Sequence, residues 1–161
     1  MDLFNTSSAV ISDCGKYRYR LGRYWGDGPT CGFIMLNPST ANDVDDDPTI
    51  GRCTSFAKRE LCGGLEVANI YAYRATDPKE LALTPFPMGP AWRDHFDAFL
   101  AAVDGPLIAG WGAHKGLDAQ VATVRQILRE AGRIAHCLVR NKDGSPRHPL
   151  YVAGDAPLVP L

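Results

Sequence analysis

The chain has 161 residues, 45% of them hydrophobic and 22% charged, with a formal net charge of −1. This composition supports one globular domain with a full core and excludes a disordered chain. It supplies no global positive charge for tight duplex-DNA binding, and no run approaches the roughly 18 consecutive apolar residues of a membrane span.

The start, Met1-Asp2-Leu3-Phe4, lacks a basic region followed by an apolar run, so a cytoplasmic location is expected. Five cysteines, Cys14, Cys31, Cys53, Cys62 and Cys137, form no C-x-x-C pair, which leaves no sign of a disulfide framework or a zinc knuckle. They read as small buried hydrophobes. Charge is segregated along the chain: Asp43, Asp45, Asp46 and Asp47 cluster early, whereas Arg129, Arg133, Arg140, Lys142 and Arg147 gather late.

In chain order, residues 8–25 read as an antiparallel hairpin, with Tyr17, Tyr19 and Leu21 alternating against a wet face of Arg18, Arg20 and Arg23. Residues 31–36, CGFIML, form an uninterrupted apolar run, the signature of a strand buried on both faces. A helix follows, with Asp47 as N-cap and Pro48 at its first position. Its apolar stripe is Ile50, Cys53, Phe56, Ala57 and Leu61, and Gly63-Gly64 stops it. Residues 65–73 read as the next strand, and Asp77 to Glu80 as a capping arrangement on a short helical turn. Residues 91–103 place Trp92, Phe96, Phe99, Leu100 and Val103 on one helical stripe, and GPLIAGW supplies a third core strand. A helix ended by Gly132 carries Leu117, Val121, Val124, Leu128 and Ala131, RIAHCLV gives a fourth strand, and the proline-bearing tail is expected to be an extended strap. Alternating β and α from 31 to 139 predicts an α/β fold: a three-layer α/β/α sandwich around a mostly parallel four-stranded sheet, with the N-terminal hairpin on an edge. All 161 residues are read as a single domain.

In an open parallel sheet, ligands bind beyond the carboxyl ends of the strands. The loops there carry Asn37-Pro38-Ser39-Thr40; then Tyr71, Tyr73, Arg74 and Asp77; then Trp111, Gly112 and His114; and finally Asn141, Lys142 and Arg147-His148-Pro149-Leu150-Tyr151. Asn37 precedes a proline and is therefore biased towards extended backbone, which can hold its side chain at a fixed angle or close an Asx-turn. The acidic loop is either a solvated segment ending in a cap or a Mg²⁺ site built on Asp43, Asp45 and Asp46. His148 lies in a punctuated loop far from any apolar stripe, which argues against a core role and leaves a functional residue or an ordinary exposed loop residue, whereas His114 and His136 read as structural. Trp111 and Tyr71 suit either a core or a stacking platform. Nucleophile-elbow, P-loop and dinucleotide fingerprints are absent, and no cofactor is called for.

The blocks FIMLNPSTAN, DDPTI, YAYRATDP, AGWG and RHPLY, in this order, resemble the bacterial and phage domain-of-unknown-function family 1643 over residues 17–151. More distantly, LNPST after the first core strand and RHPL after the fourth resemble the two motifs of the uracil-DNA glycosylase superfamily. That resemblance implies a metal-free N-glycosidic hydrolysis in which Asn37 orients the attacking water and His148 stabilises the departing base. It further implies that Tyr71 stacks on the base and Arg147 holds a phosphate. Pro38, Ser39, Thr40, Arg74, Trp111 and Gly112 complete the expected binding loops. Three functions follow as expectations: a protein that binds or cleaves a nucleobase-containing small molecule or single-stranded or damaged DNA; a Mg²⁺-dependent phosphoryl or ester hydrolase on Asp43 to Asp46; and a binding module without catalysis.

Overall fold

A computed structural model describes residues 5–38 and 41–161. Seven strands form one mixed sheet: β1 (Thr6–Ile11), β2 (Arg18–Tyr24), β3 (Thr30–Met35), β4 (Gly64–Asn69), β5 (Leu107–Ala109), β6 (His136–Cys137) and β7 (Val159–Pro160), in spatial order β1-β2-β4-β3-β5-β6-β7. The helices are α1 (Pro48–Arg59), α2 (Glu80–Leu83), α3 (Trp92–Ala102) and α4 (Asp118–Glu130), and a 3-10 turn covers Pro149–Tyr151.

The α/β class stands, but the sheet is larger than the expected four strands. β4, β3, β5 and β6 run parallel, β2 and β1 extend one edge antiparallel, and β7 closes the other edge antiparallel to β6. The N-terminal hairpin is therefore continuous with the sheet rather than packed against its edge. The C-terminal strap ends as a strand for the same reason: its backbone groups complete the ladder that β6 would otherwise leave open.

Period-2 alternation divides the core strands between two apolar layers. Phe33, Met35, Leu65, Val67 and Ile108 pack with Ile50, Cys53 and Phe56 of α1; Ile34, Leu36, Ala68, Ile70, Leu107 and Ala109 pack with Phe96, Phe99, Val124 and Leu128 of α3 and α4. The all-apolar β3 is thus buried on both faces, as its sequence predicts. Four of the five cysteines are buried and all five are free.

Helix α1 begins as expected, with the Asp47 side chain accepting from the Ile50 N–H at 2.9 Å and Pro48 in the first turn. It ends earlier than Gly63-Gly64. Leu61 adopts a left-handed φ of 60°, its N–H reaches the Lys58 carbonyl, and the Cys62 N–H reaches the Ala57 carbonyl, each at 3.0 Å. This is a Schellman ending built on leucine, so Leu61 leaves the apolar stripe and lies 84% exposed. The second and fourth core strands are likewise shorter than 65–73 and RIAHCLV: β4 stops at Asn69 and β6 spans two residues, with Ile134 exposed.

Strand β2 departs most from its sequence pattern. Ile11 pairs with Arg18 and Val10 with Arg20, so Tyr19 is an extra residue, a β-bulge. The bulge inverts the alternation on its N-terminal side: Tyr19 packs in the α3 layer, Leu21 in the α1 layer, and Arg18 turns inward to 3% exposure. The expected wet arginine face does not form. Arg20 pairs with the buried Glu66 at 3.1 Å, Arg23 pairs with Asp46 at 2.8 Å, and Arg18 donates to the Ala41 carbonyl at 2.6 Å.

Candidate functional site

The carboxyl ends of the parallel strands open on a cavity of about 290 Å³. β3 contributes Met35, with Leu36 and Asn37 just beyond its end; β4 contributes Val67 and Asn69; the loop after β5 contributes His114; and the 148–151 turn contributes His148, Leu150 and Tyr151. Arg18 lines it from β2, and Asp47, Thr49 and Ile50 from the start of α1.

Asn37 is held by its own amide nitrogen, which donates to the Ala75 carbonyl at 2.7 Å and to the Pro38 carbonyl at 3.0 Å. Two carbonyl partners fix which amide atom is nitrogen, and an amide is planar, so Oδ1 is left as an acceptor on the opposite side. His148 is oriented with equal definition. Its Nδ1 accepts from the Leu150 N–H at 3.2 Å, which places the proton of the neutral ring on Nε2 as a donor. Burial pushes its pKa below the ordinary 6.5, and the nearby His114 adds to this while Asp47 opposes it.

Several contacts seat the His148 turn. The Arg52 guanidinium donates to the carbonyls of Pro149 and Val152, tying the turn to α1. On the other side Gly110 follows β5 at a point where a Cβ would come within 2.9 Å of the Pro149 ring. Only glycine lets strand end and turn approach so closely. The rings of His148 and Tyr151 lie 5.7 Å apart, and Tyr151 is 75% exposed at the cavity mouth.

Two groups on the cavity wall stand out energetically. Asn69 is 3% exposed, and both Nδ2 and Oδ1 are buried without a partner among the described residues. Only its backbone is engaged, the carbonyl accepting from Trp92 Nε1 at 2.8 Å. Arg18 is the second. Desolvation lowers its pKa to about 10 even though the Asp47 charge acts the other way, and its Nε has no partner among the described residues. Each unpaired buried polar group costs roughly 1–3 kcal/mol, so a fold that keeps three such atoms in two residues of the cavity lining forgoes stability there.

The expected site residues separate into two groups. Asn37 and His148 share the cavity, and Pro38 supports it through its carbonyl. Ser39 and Thr40 lie outside the described residues. Tyr71 lines an adjoining cavity of about 470 Å³, with Leu81, Lys79, Lys115 and Leu117, which shares Leu36, Pro78 and His114 with the first. Trp111 is buried in the α3 and α4 layer, and Gly112 adopts a φ of 77° and donates its N–H to the Pro146 carbonyl. Arg147 Nε donates to Asn141 Oδ1 at 2.9 Å, and the Arg74 N–H donates to the Lys16 carbonyl at 2.9 Å. None of these four lines the Asn37–His148 cavity.

Arg18, Asn69, Thr49, Tyr151 and His114 line the cavity without having been assigned to it from sequence, and Asp47 joins them while serving as a cap. In the acidic loop Asp46 is held by Arg23 and Asp45 accepts from Asn42, and no three His, Cys, Asp or Glu side chains among the described residues are grouped to share an ion. No helix of the structure is long and apolar enough to cross a membrane.

A search of the curated proteins and a search of the solved structures return no match. A family model does match, over residues 18–150, which takes in β2, every strand end that opens on the cavity, and His148. The chain belongs to the family described as protein of unknown function (DUF1643).

Proposed function

We propose that the cavity recognises a nucleobase, free or within a nucleoside, nucleotide or single-stranded DNA, and that the protein cleaves the N-glycosidic bond to it. The observation that carries this reading is Asn69, a residue of the cavity lining whose side-chain donor and acceptor are both buried and unspent among the described residues. A side-chain amide pairs best with another donor–acceptor edge, and nucleobases present such edges. His148 then offers a neutral Nε2 donor to the base, and Asn37 Oδ1 accepts from a water and aims it at the anomeric carbon. The resemblance of LNPST and RHPL to the glycosylase motifs supports the same two roles. Tyr151, at the mouth, is better situated than Tyr71 to cover the flat face of a bound base.

A thermal-shift panel of nucleobases, nucleosides, nucleotides and short single-stranded DNA tests the recognition step. A ligand at about 100 times its Kd stabilises by about 2.7 kcal/mol, which in a domain of this size is a Tm increase of roughly 5–10 °C. No shift across the panel refutes the reading. A shift with no free base released on prolonged incubation retains recognition and removes catalysis, leaving a binding module.

The protonation of His148 gives an independent check. Its folded pKa lies below its unfolded value of about 6.5, so unfolding takes up a proton between the two. The associated stability is held above about pH 6.5 and lost as pH falls towards the folded pKa, where the protonated Nδ1 would meet the Leu150 N–H donor against donor. We expect His148→Asn to flatten the decline of Tm between about pH 7 and pH 5, and an NMR titration of the wild-type ring to have its midpoint below 6.5. A midpoint above that value would contradict the lowering of the pKa by burial.

A further inference from the structure

The cavity wall carries a charge that nucleobase recognition alone does not require. Arg18 reaches it only because the β2 bulge turns its side chain inward, where 3% of the residue is exposed. One arm of the guanidinium is used, Nη1 donating to the Ala41 carbonyl. Nε is buried and has no partner among the described residues, and Nε with Nη2 forms the side edge that matches the two oxygens of a carboxylate or phosphate. The surroundings do not neutralise it. Arg74 and Arg23 act on Arg18 with like charge, and Asp47 offsets only part of the combined penalty. Asn69, with its side-chain amide unspent, lines the same cavity.

A buried guanidinium with an unpaired N–H destabilises the empty protein, and the arrangement becomes favourable once an oxyanion enters. We infer that Arg18 is an oxyanion-binding residue and that the ligand of this cavity carries a carboxylate or phosphate presented to its Nε edge. The inference rests on the cavity being a base site only for the rest of the ligand. The anion can belong to an acidic base, such as a pyrimidine carboxylate, or to the phosphate of a nucleoside monophosphate. A cavity of about 290 Å³ has room for a ligand of this class.

Calorimetric titration of the full chain distinguishes these sources through matched pairs: orotate against orotamide, uridine 5′-monophosphate against uridine, and inorganic phosphate alone. The expected result is a preference of roughly tenfold or more for the charged member of at least one pair, because a hydrogen bond to a charged group is stronger than its neutral counterpart. Whichever pair responds names the source. Arg18→Met should abolish that preference, and Arg18→Lys should reduce it, since an ammonium keeps the charge without the planar fork. Equal affinity for charged and neutral members overturns the oxyanion role and leaves base recognition standing. Binding of inorganic phosphate but of no ring compound keeps the oxyanion role and overturns base recognition, whereas no binding of any probe overturns both. A charge preference that survives in both variants assigns the anion to another residue and overturns the inference. If neither variant folds, the wild-type pairs decide the matter, with orotate or monophosphate binding expected to be competed by inorganic phosphate.

Discussion

Replacing Asn69 by leucine is expected to stabilise the protein while abolishing ligand binding. Both side-chain polar atoms of Asn69 are buried without partners, and Val67, Met35 and Ile50 line the same cavity. Leucine has the same branched skeleton of four side-chain heavy atoms as asparagine and buries no polar atom; it is larger, and the cavity that Asn69 lines gives room for its methyl groups, so the substitution removes a desolvation penalty without opening a void. A gain of about 1–2 kcal/mol follows, or roughly 2–8 °C in Tm for a domain of this length. Asn69→Ala provides the contrast, because it removes the polar atoms but enlarges the cavity, so its Tm should rise less. If Asn69→Leu and Asn69→Ala both lower Tm, the amide is being satisfied in the folded protein and the case for an unspent donor–acceptor edge fails. If Tm rises and ligand affinity is unchanged, the amide faces the cavity without touching what binds there.

The sign of that prediction bears on how the site is built. Stability is forgone at positions where function needs polar groups kept open. Asn69 and Arg18 are the residues of the cavity lining that carry buried polar atoms without partners among the described residues. Asn37 and His148 leave no buried side-chain atom unpaired, and each is oriented by its hydrogen bonds to the protein, whereas Arg18 spends only Nη1, on the Ala41 carbonyl, and the Asn69 side chain spends nothing. The cavity thus combines two oriented groups with two unsatisfied ones.

The oriented pair was legible in the sequence because strand-end loops can be found from apolar runs and punctuation. Residues 33–36 are buried on both faces as their composition requires, and Asn37 follows where the strand ends. The unsatisfied pair was not legible, for two separate reasons. Asn69 was hidden by a boundary: apolar character continues through Ile70 and Ala72, so the strand reads to Tyr73, and attention passes to Tyr71 and Arg74 instead of to the residue that ends β4. Arg18 was hidden by parity. Strict alternation in KYRYRLGRYW puts it with Arg20, and nothing in the letters marks the extra residue that the Ile11 and Arg18 pairing creates at Tyr19. A bulge is fixed by tertiary pairing, and it re-aims side chains that a period-2 pattern assigns to the wrong face.

The same distinction between local grammar and tertiary contact predicts the most destabilising single methyl group. Gly63-Gly64 reads as a helix stop, yet α1 has already ended at Arg59 and its reversal is made by Leu61. The requirement for glycine at 63 lies elsewhere. The loop between β2 and β3 crosses directly over it: the Trp25 and Gly26 N–H groups both donate to the Gly63 carbonyl, and the Gly63 N–H donates to the Pro29 carbonyl at 2.9 Å. A Cβ on Gly63 would collide with the backbone of Gly26 and Gly28, and a Cβ on Gly28 would lie 2.7 Å from the Gly63 nitrogen. These obstacles are main-chain atoms, which cannot rotate away, so Gly63→Ala must displace the loop and its hydrogen bonds. We expect a loss of about 3 kcal/mol, or roughly 6–12 °C in Tm. Gly51→Ala on α1 is the internal control: a Cβ there meets nothing within 4 Å, and alanine in a helix interior should add about 0.5–1 kcal/mol. Gly63 precedes β4, at the end of the strand opposite Asn69, so the folded fraction of Gly63→Ala should bind ligand with unchanged affinity. A Tm within about 1 °C of the wild type would mean that the 25–29 loop yields readily, and would return Gly63 to the purely local role that its sequence suggests.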